Sequence, residues 1–263
     1  MKAKLTSKIQ NKNNVSYLKR NLIKKSVKIF LRKRLAFTIK KAFIYYYMKK
    51  ALIFDFDGTI ADSWEVIFLS MEAAFKKLGL IAPTQEELVS HFGAQEHGIL
   101  RMISPEHADE LFAEYLKETV RLVEKHGMPA YDGLKEILDE AKKRGMKLAV
   151  ISGKSKESLE ITLEATGLKD YFSSLKTGGE TCSIKPKCMR EVLDEFGISA
   201  EDAYYIGDAV QDILDSRKVG VEPIAAAWAG TANPEKLAQY SPVALFTNVD
   251  DLYKFLFAQK INC

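Results

Sequence analysis

Two kinds of apolar pattern divide the chain from residue 48 onward. Short apolar runs predict strands at residues 51–54, 147–151, 171–176, 203–206 and 224–227. Apolar residues spaced three and four positions apart predict helices at residues 135–144, 157–166, 187–196 and 210–219. Strands that alternate with helices are typical of a parallel sheet with helices on both faces. We therefore predict an α/β fold whose core consists of residues 48–61 and 131–263.

A different pattern occupies residues 62–130, where the spacing of apolar residues is helical throughout. The first predicted helix has four apolar residues on one face, Val66, Leu69, Ala73 and Leu78. Gly79 is expected to end this helix, Thr84 to cap the next one and Pro105 to open a longer one. Because this block is inserted directly after the first strand, we expect an all-helical cap over the carboxyl edge of the sheet.

Polar residues and glycines gather where the predicted strands end. They are Asp55, Asp57, Gly58, Ser152, Gly153, Gly207, Asp208 and Asp212. Lys185 precedes the helix at 187–196. Each residue taken alone also has a structural interpretation, as a turn acid, a helix cap or a surface lysine. Together they predict a functional site, because carboxyl ends of parallel strands meet at the edge where α/β proteins bind ligands.

The charge of the chain is divided unevenly along the sequence. The net charge is +4, with 39 Lys and Arg against 35 Asp and Glu. Residues 1–47 hold 14 of the basic residues and no acidic one, which leaves a net charge of −10 from Met48 onward. A nucleic-acid partner inferred from overall basicity would therefore depend on residues 1–47 alone. We expect no nucleic-acid partner for the folded part.

Residues 1–47, a basic N-terminal extension, have three interpretations. The first is that the native chain starts at Met48, because a composition rich in Lys, Asn, Ile, Phe and Tyr is typical of translated AT-rich upstream DNA. The second is a basic amphipathic arm for a membrane surface or nucleic acid. The third is an organelle-targeting segment.

Cysteine usage and hydropathy indicate the compartment. Cys182, Cys188 and Cys263 form no Cys-x-x-Cys pair and have no histidine at metal-ligand spacing. No apolar run reaches the roughly 18 residues that a membrane span needs. We predict a cytoplasmic protein with reduced thiols and no membrane partner.

In their order and spacing, the polar residues resemble the four motifs of the haloacid dehalogenase superfamily of phosphohydrolases. The motifs read Asp55-x-Asp57-Gly58-Thr59, Ser152, Lys185 and Gly207-Asp208-x-x-x-Asp212. The resemblance covers roughly residues 48–257. It implies a Rossmann-like core and a phosphatase that uses Mg²⁺.

The resemblance also implies a role for each motif residue. Asp55 is expected to attack phosphorus to give an aspartyl-phosphate, and Asp57 to act as general acid and then general base. The expected phosphate-binding residues are Thr59, Ser152, Gly153 and Lys185. The expected Mg²⁺ ligands are Asp55, the backbone carbonyl of Asp57, Asp208 and Asp212.

The helical block resembles the small cap of the phosphoglycolate phosphatase-like branch. Within it, residues 91–98 form the expected substrate-reading loop, because glycines interrupt the helices there and polar groups cluster. His91, Glu96 and Arg101 are the candidate specificity residues, with Arg101 placed to meet a carboxylate or phosphate of the substrate. A solvated loop between helices is the alternative.

These features predict a Mg²⁺-dependent phosphatase for a small phosphorylated metabolite such as a phosphoglycolate-like phosphomonoester. A phosphosugar mutase and an inorganic pyrophosphatase are the alternatives on the same fold. An alternative of another class is a protein that binds membrane or nucleic acid through its basic arm. We expect a monomer or a homodimer.

Overall fold

The structure, a computed structural model, describes residues 49–257, and six strands within this range form one parallel sheet. Their bounds are β1 (Ala51–Phe54), β2 (Lys147–Ile151), β3 (Ser174–Lys176), β4 (Ala203–Gly207), β5 (Glu222–Ala226) and β6 (Ala244–Phe246). The order across the sheet is β3-β2-β1-β4-β5-β6. The chain runs outward from β1 to β3 and then returns with β4 on the other side of β1. The predicted Rossmann-like α/β fold is therefore confirmed.

Ten α-helices accompany the sheet within residues 49–257. They are α1 (Trp64–Lys77), α2 (Gln85–Ser90), α3 (Glu96–Ile103), α4 (Ala108–His126), α5 (Leu134–Lys143), α6 (Lys156–Ala165), α7 (Lys185–Phe196), α8 (Val210–Val219), α9 (Pro234–Gln239) and α10 (Val249–Phe257). Short 3₁₀ helices lie at Pro105–His107, Lys169–Tyr171 and Ala200–Asp202. From α5 to β5 the elements alternate as predicted, whereas β6, α9 and α10 were not predicted.

Strand β1 lies at the centre of the sheet and is completely buried. Its last residue, Phe54, is level with Val150 of β2 and Ile206 of β4, so the three strands end together. Leu52 and Phe54 pack into one hydrophobic cluster, and the alternate residues of β1 pack into another on the opposite face. This alternation confirms that helices cover both faces of the sheet.

Helices α1–α4 form a separate layer between β1 and β2 in the sequence. The layer has its own hydrophobic cluster, built around Met71, Phe75, Leu100, Leu111 and Tyr115. The predicted buried face of α1 is wrong by about one position, because Ile67, Met71, Ala74 and Phe75 are buried while Leu69 is exposed. The boundaries of a cap domain at 62 and 130 remain a prediction.

The helical layer touches the sheet domain at a loop after β3. The backbone N–H of Gln95 donates to the carbonyl of Gly179 at 2.8 Å, and Ala94 forms an isolated β-bridge with Gly179. A Cβ on Gly98 would lie 1.6 Å from the Glu180 carbonyl oxygen. Helix α3 can therefore approach this loop so closely only because residue 98 is glycine.

Two further sequence predictions concern the whole described part. No helix among residues 49–257 combines the length and the apolar composition needed to cross a membrane. Cys182 is an exposed free thiol and Cys188 a buried one. The interpretations of residues 1–47 and the thiol of Cys263 lie outside the described residues.

Candidate active site

The turn after β1 carries two carboxylates into the centre of the carboxyl edge. The backbone N–H of Asp55 donates to the Ile206 carbonyl at 2.8 Å, which fixes the turn to β4. Gly58 has a φ of +72°, and a Cβ there would lie 2.2 Å from Asp208 Oδ2. Glycine at this position therefore permits both the left-handed backbone and the close approach of Asp208.

Three carboxylates converge beside this turn. One oxygen each from Asp55, Asp208 and Asp212 lies within 4.8 Å of the others. Helix α8 fixes Asp212, whose Oδ2 accepts a hydrogen bond from the Ala209 N–H at 3.2 Å. Such a set of close oxygen donors suits a hard divalent cation.

Lys185 is the cation that faces this carboxylate cluster. It is the first residue of α7, and its Nζ lies 2.5 Å from Asp212 Oδ1 and 3.1 Å from Asp55 Oδ1. Burial alone lowers the pKa of Lys185, but the two carboxylates raise it well above its ordinary value. The side chain therefore stays protonated in the site.

One lysine does not balance the three carboxyl groups, of which Asp55 and Asp212 are buried and Asp208 is half-buried. Burial, together with Asp212 and Asp57, raises the pKa of Asp55 from 3.8 to about 7, against the opposing effect of Lys185. Burial and the nearby Asp55 and Asp212 also raise the pKa of Asp208 well above its usual range. The cluster therefore lacks positive charge, and a divalent cation would supply it.

Asp57 faces a different set of partners. Its Oδ1 accepts a hydrogen bond from the Ser63 hydroxyl and lies 3.1 Å from Lys154 Nζ. Lys154 is also 3.7 Å from Glu96 Oε1. The Asp57 carboxylate is not part of the group of close carboxylate oxygens formed by Asp55, Asp208 and Asp212.

Lys154 was not predicted from the sequence. Its side chain is only 2% exposed, and its ammonium makes ion pairs whose geometry is not that of a hydrogen bond. Burial lowers its pKa, but Asp57, Tyr115 and Glu96 together raise it above the ordinary value. The one signal in the sequence was its place three residues after the end of β2, directly after Ser152 and Gly153.

The structure places some, but not all, of the predicted phosphate-binding residues in the lining of one cavity. Ser152 and Gly153 line the same cavity as Asp55, Asp57 and Lys185. The Ser152 hydroxyl accepts a hydrogen bond from the Lys154 N–H at 3.2 Å. Thr59 is completely buried and is not among the described residues that line this cavity. Its hydroxyl has no hydrogen-bond partner within residues 49–257.

Of the three candidate specificity residues, one lines this cavity and two do not. Glu96 lines the cavity and accepts hydrogen bonds from Ser155 N–H at 2.6 Å and Tyr115 O–H at 3.2 Å. Arg101 forms an ion pair with Glu180 at 2.8 Å. Neither Arg101 nor His91 is among the lining residues in the described part of the chain. The cavity has a volume of about 250 Å³, which is the scale of a small molecule.

Chemically, the cavity combines the parts that transfer an anionic group. Asp55 offers a carboxylate oxygen as a nucleophile, and the Lys185 ammonium lies beside it to offset charge. Asp57 lies two residues away and has a separate set of partners, so it is placed to exchange protons while Asp55 serves as the nucleophile. The Ser152 hydroxyl faces the same space from β2.

Comparisons with known proteins agree on one family. Residues 52–226 match the family model of the haloacid dehalogenase-like hydrolases. The phosphoglycolate phosphatase of Aquifex aeolicus is 27% identical over 217 residues, which cover 79% of this chain and 96% of that protein. The pyrophosphatase PpaX of Oceanobacillus iheyensis is 23% identical over 205 residues, which cover 77% of this chain and 94% of that protein.

A solved structure shows the same fold. The crystal structure of CbbY from Rhodobacter sphaeroides in complex with phosphate superposes with a TM-score of 0.68 and 20% identity. The match covers 78% of this chain and 96% of that chain. At 20% identity this similarity supports a shared fold and nothing about function.

Proposed function

The chain belongs to the haloacid dehalogenase-like hydrolase family, and from this membership we propose that it is a Mg²⁺-dependent phosphatase that acts on a small phosphomonoester through an aspartyl-phosphate. The observation that carries the proposal is the convergence of Asp55, Asp57 and Lys185 on one cavity at the carboxyl edge. The phosphatases among its relatives support the predicted enzyme class.

In the first step, a carboxylate oxygen of Asp55 attacks phosphorus and the bond from phosphorus to the leaving oxygen breaks. Asp57 gives its proton to that oxygen, so the product leaves as an alcohol. The Ser63 hydroxyl and the Lys154 ammonium orient the Asp57 carboxylate for this transfer. In the second step, Asp57 takes a proton from water, whose oxygen attacks phosphorus and releases Asp55 and phosphate.

The transferred group needs contacts that neutralise its charge. Lys185 lies 3.1 Å from the attacking carboxylate, so its ammonium can reach a phosphoryl oxygen bound to Asp55. The Ser152 hydroxyl and the Gly153 N–H would bind further phosphoryl oxygens. Thr59, predicted to bind phosphate, is buried and supports the turn instead, since its carbonyl accepts a hydrogen bond from the Trp228 indole at 3.1 Å.

The residues present fit Mg²⁺. The donor set consists of close carboxylate oxygens from Asp55, Asp208 and Asp212, and the raised pKa values of Asp55 and Asp208 indicate a deficit of positive charge. These three side chains, with the backbone carbonyl of Asp57, would hold the ion. When bound, Mg²⁺ supplies positive charge that offsets the carboxylates and the phosphoryl oxygens.

A pyrophosphatase is the second candidate, because several relatives carry that name. The same Asp55 and Asp57 would act on it, with phosphate in place of an alcohol as the leaving group. Phosphoglycolate is the predicted ester and the substrate named for the relative from Aquifex aeolicus. Both compounds therefore belong in the first test.

The test is release of inorganic phosphate with and without Mg²⁺ from phosphoglycolate, sugar phosphates, nucleotides and pyrophosphate. We expect Mg²⁺-dependent release by the wild type and a loss of at least about a thousandfold in Asp55→Asn. Asp194→Asn, the same change at an exposed position of α7, is the matched control. Equal activity in Asp55→Asn and the wild type would overturn the proposal.

A further inference from the structure

The catalytic cavity has an apolar end that the proposed chemistry does not use. Its wall comes from the helical layer and contains Trp64, Ile67, Met71, Leu88, Phe92 and Ile99. The catalytic carboxylates, Ser152 and Lys185, on segments beside the carboxyl ends of the strands, form the polar end of the same cavity. The leaving group of a substrate held at Asp55 would therefore extend along apolar side chains.

Two of these wall residues, Trp64 and Phe92, belong to a stack of aromatic rings. The rings of Trp64 and Phe92 stack with centroids 5.5 Å apart and an angle of 20° between planes, and Phe68 stacks on Trp64 at 6.4 Å. Phe92 is 37% exposed, so one ring of the stack remains open to a ligand. Such a surface suits an aromatic ring or an alkyl chain.

A buried donor marks the junction between the two ends. The indole N–H of Trp64 is buried and has no hydrogen-bond partner within residues 49–257. The position of a Cβ on Gly58 would be 3.4 Å from this nitrogen and 2.2 Å from Asp208 Oδ2. The free donor therefore lies beside the catalytic turn, where a leaving-group oxygen can accept its hydrogen bond.

The charges around the cavity disfavour a second anionic group on the substrate. Its lining contains five carboxyl groups, from Asp55, Asp57, Glu96, Asp208 and Asp212. The two lysines Lys154 and Lys185 together with the proposed Mg²⁺ do not fully offset them when all five are ionised. Both lysines already pair with carboxylates. Arg101, expected to meet a second anionic group, pairs with Glu180 instead. In the described lining, no uncommitted cation remains for the carboxylate of phosphoglycolate.

We propose that this site selects phosphomonoesters whose leaving group is uncharged and carries an alkyl or aromatic body, which packs against Trp64 and Phe92 while the indole N–H binds the ester oxygen. This inference rests on the proposed function and names its substrate class. A small polyanion such as pyrophosphate would fill the polar end and leave the apolar wall exposed to water.

A homologous series of alkyl phosphates tests the apolar end without changing the reactivity of the leaving group. We expect kcat/KM to rise by about fourfold for each added methylene until the wall is covered. Ethyl, butyl and hexyl phosphate, with benzyl phosphate, form the series, and phosphoglycolate and pyrophosphate are the anionic comparison. Higher kcat/KM for either anionic compound than for every uncharged ester would overturn the inference and leave the proposed phosphatase intact.

Variants test whether the aromatic wall is responsible for the dependence of kcat/KM on the size of the leaving group. Phe92→Ala is expected to lower kcat/KM for hexyl and benzyl phosphate by about tenfold or more, and for ethyl phosphate by no more than about twofold. Val120→Ala, in which a side chain of the same 37% exposure is truncated on α4, is the matched control. An equal fall on ethyl and hexyl phosphate in Phe92→Ala would contradict the assignment of this wall to the leaving group.

A binding measurement gives a readout independent of turnover. Benzylphosphonate and phosphonoacetate are unreactive analogues of the two substrate classes, and we expect the wild type to bind the first at least about tenfold more tightly. Trp64→Phe keeps the ring and removes the N–H, so it should weaken ester turnover more than phosphonate binding. Tighter binding of phosphonoacetate would overturn the inference. Absence of Mg²⁺-dependent release from every compound would instead overturn the proposed function.

Discussion

At the scale of single residues, the chemistry of the site depends on how few cations face its carboxylates. Lys185 pairs with Asp55 and Asp212, whose cluster also contains Asp208, while Lys154 pairs with Asp57 and Glu96. A buried carboxylate without a compensating charge destabilises the folded state unless it takes up a proton. The raised pKa of Asp55 is the direct consequence, and it makes stability depend on pH and metal.

Without metal, the pKa of Asp55 is about 7 in the folded state against 3.8 ordinarily. Because the folded state holds the proton more tightly, this stabilisation is complete below pH 3.8 and disappears as the pH rises through about 7. Asp55→Asn cannot ionise. In EDTA we therefore expect the variant to exceed the wild type in free energy of unfolding by about 2 to 4 kcal/mol near pH 8.5, and by far less near pH 5.

Urea denaturation at both pH values checks this prediction. Asp194→Asn should keep the pH dependence of the wild type, because this aspartate is exposed. Excess Mg²⁺ should stabilise the wild type more than Asp55→Asn. The same pH dependence in Asp55→Asn and the wild type would contradict the assignment.

The second prediction at the scale of single residues concerns Lys154. Lys154→Met removes the cation between Asp57 and Glu96, so we expect a loss of about 3 kcal/mol in the free energy of unfolding. Glu96→Gln in the same chain should restore part of that stability, since it removes one of the two unpaired carboxylates. Catalysis should stay low, because Asp57 still lacks its partner. Additive stability effects of the two substitutions would mean that the residues do not interact.

Some residue roles could not be predicted from the sequence, and the reason is physical. Motif spacing predicted one site for Asp55, Asp57, Ser152, Lys185, Asp208 and Asp212, because each lies just after a strand or in the first turn of a helix. The contacts of Lys154, Glu96 and Arg101 instead depend on how the helical layer lies against the sheet. That arrangement depends on long-range packing, which local spacing does not encode.

At the scale of elements, helix α3 depends on one glycine for its contact with the sheet domain. In Gly98→Ala the added Cβ would clash with the Glu180 carbonyl oxygen at 1.6 Å. We expect a loss of about 1 to 3 kcal/mol in stability and a larger fractional loss of kcat/KM, because Glu96 begins the same helix. Gly230→Ala has open space around it and serves as control. Urea midpoints and kcat/KM measure both, and equal effects would contradict the packing argument.

The predicted elements agree with the structure where an apolar pattern reflects burial in a single hydrophobic environment. Strands β1, β2 and β4 are short apolar runs buried on both faces, and their positions follow directly from the sequence. Helix α1 borders two clusters, since Val66 packs against the sheet core while Met71 packs within the helical layer. Its apolar residues therefore surround much of the helix, and the predicted face was wrong. Strand β6 has three half-buried residues and gave no clear pattern.

At the scale of the whole molecule, the described part carries its own core. Residues 49–257 contain four hydrophobic clusters, which cover both faces of the sheet and the interior of the helical layer. From Met48 onward the chain has a net charge of −10, whereas residues 1–47 carry only basic charges. We therefore expect the chain from Met48 onward to be responsible for folding and catalysis. Any attraction to polyanions is expected to come from residues 1–47.

A chain that begins at Met48 separates these two contributions. We expect it to match the full chain in thermal midpoint and in kcat/KM to within about twofold, because each catalytic contact described above lies within residues 49–257. Binding to anionic vesicles or to nucleic acid, measured at low and high salt, should be confined to the full chain. A large loss of kcat/KM in the shorter chain would show that residues 1–47 take part in the active fold. Salt-sensitive binding by the shorter chain would contradict the assignment of that attraction to the basic extension, since an acidic surface repels polyanions.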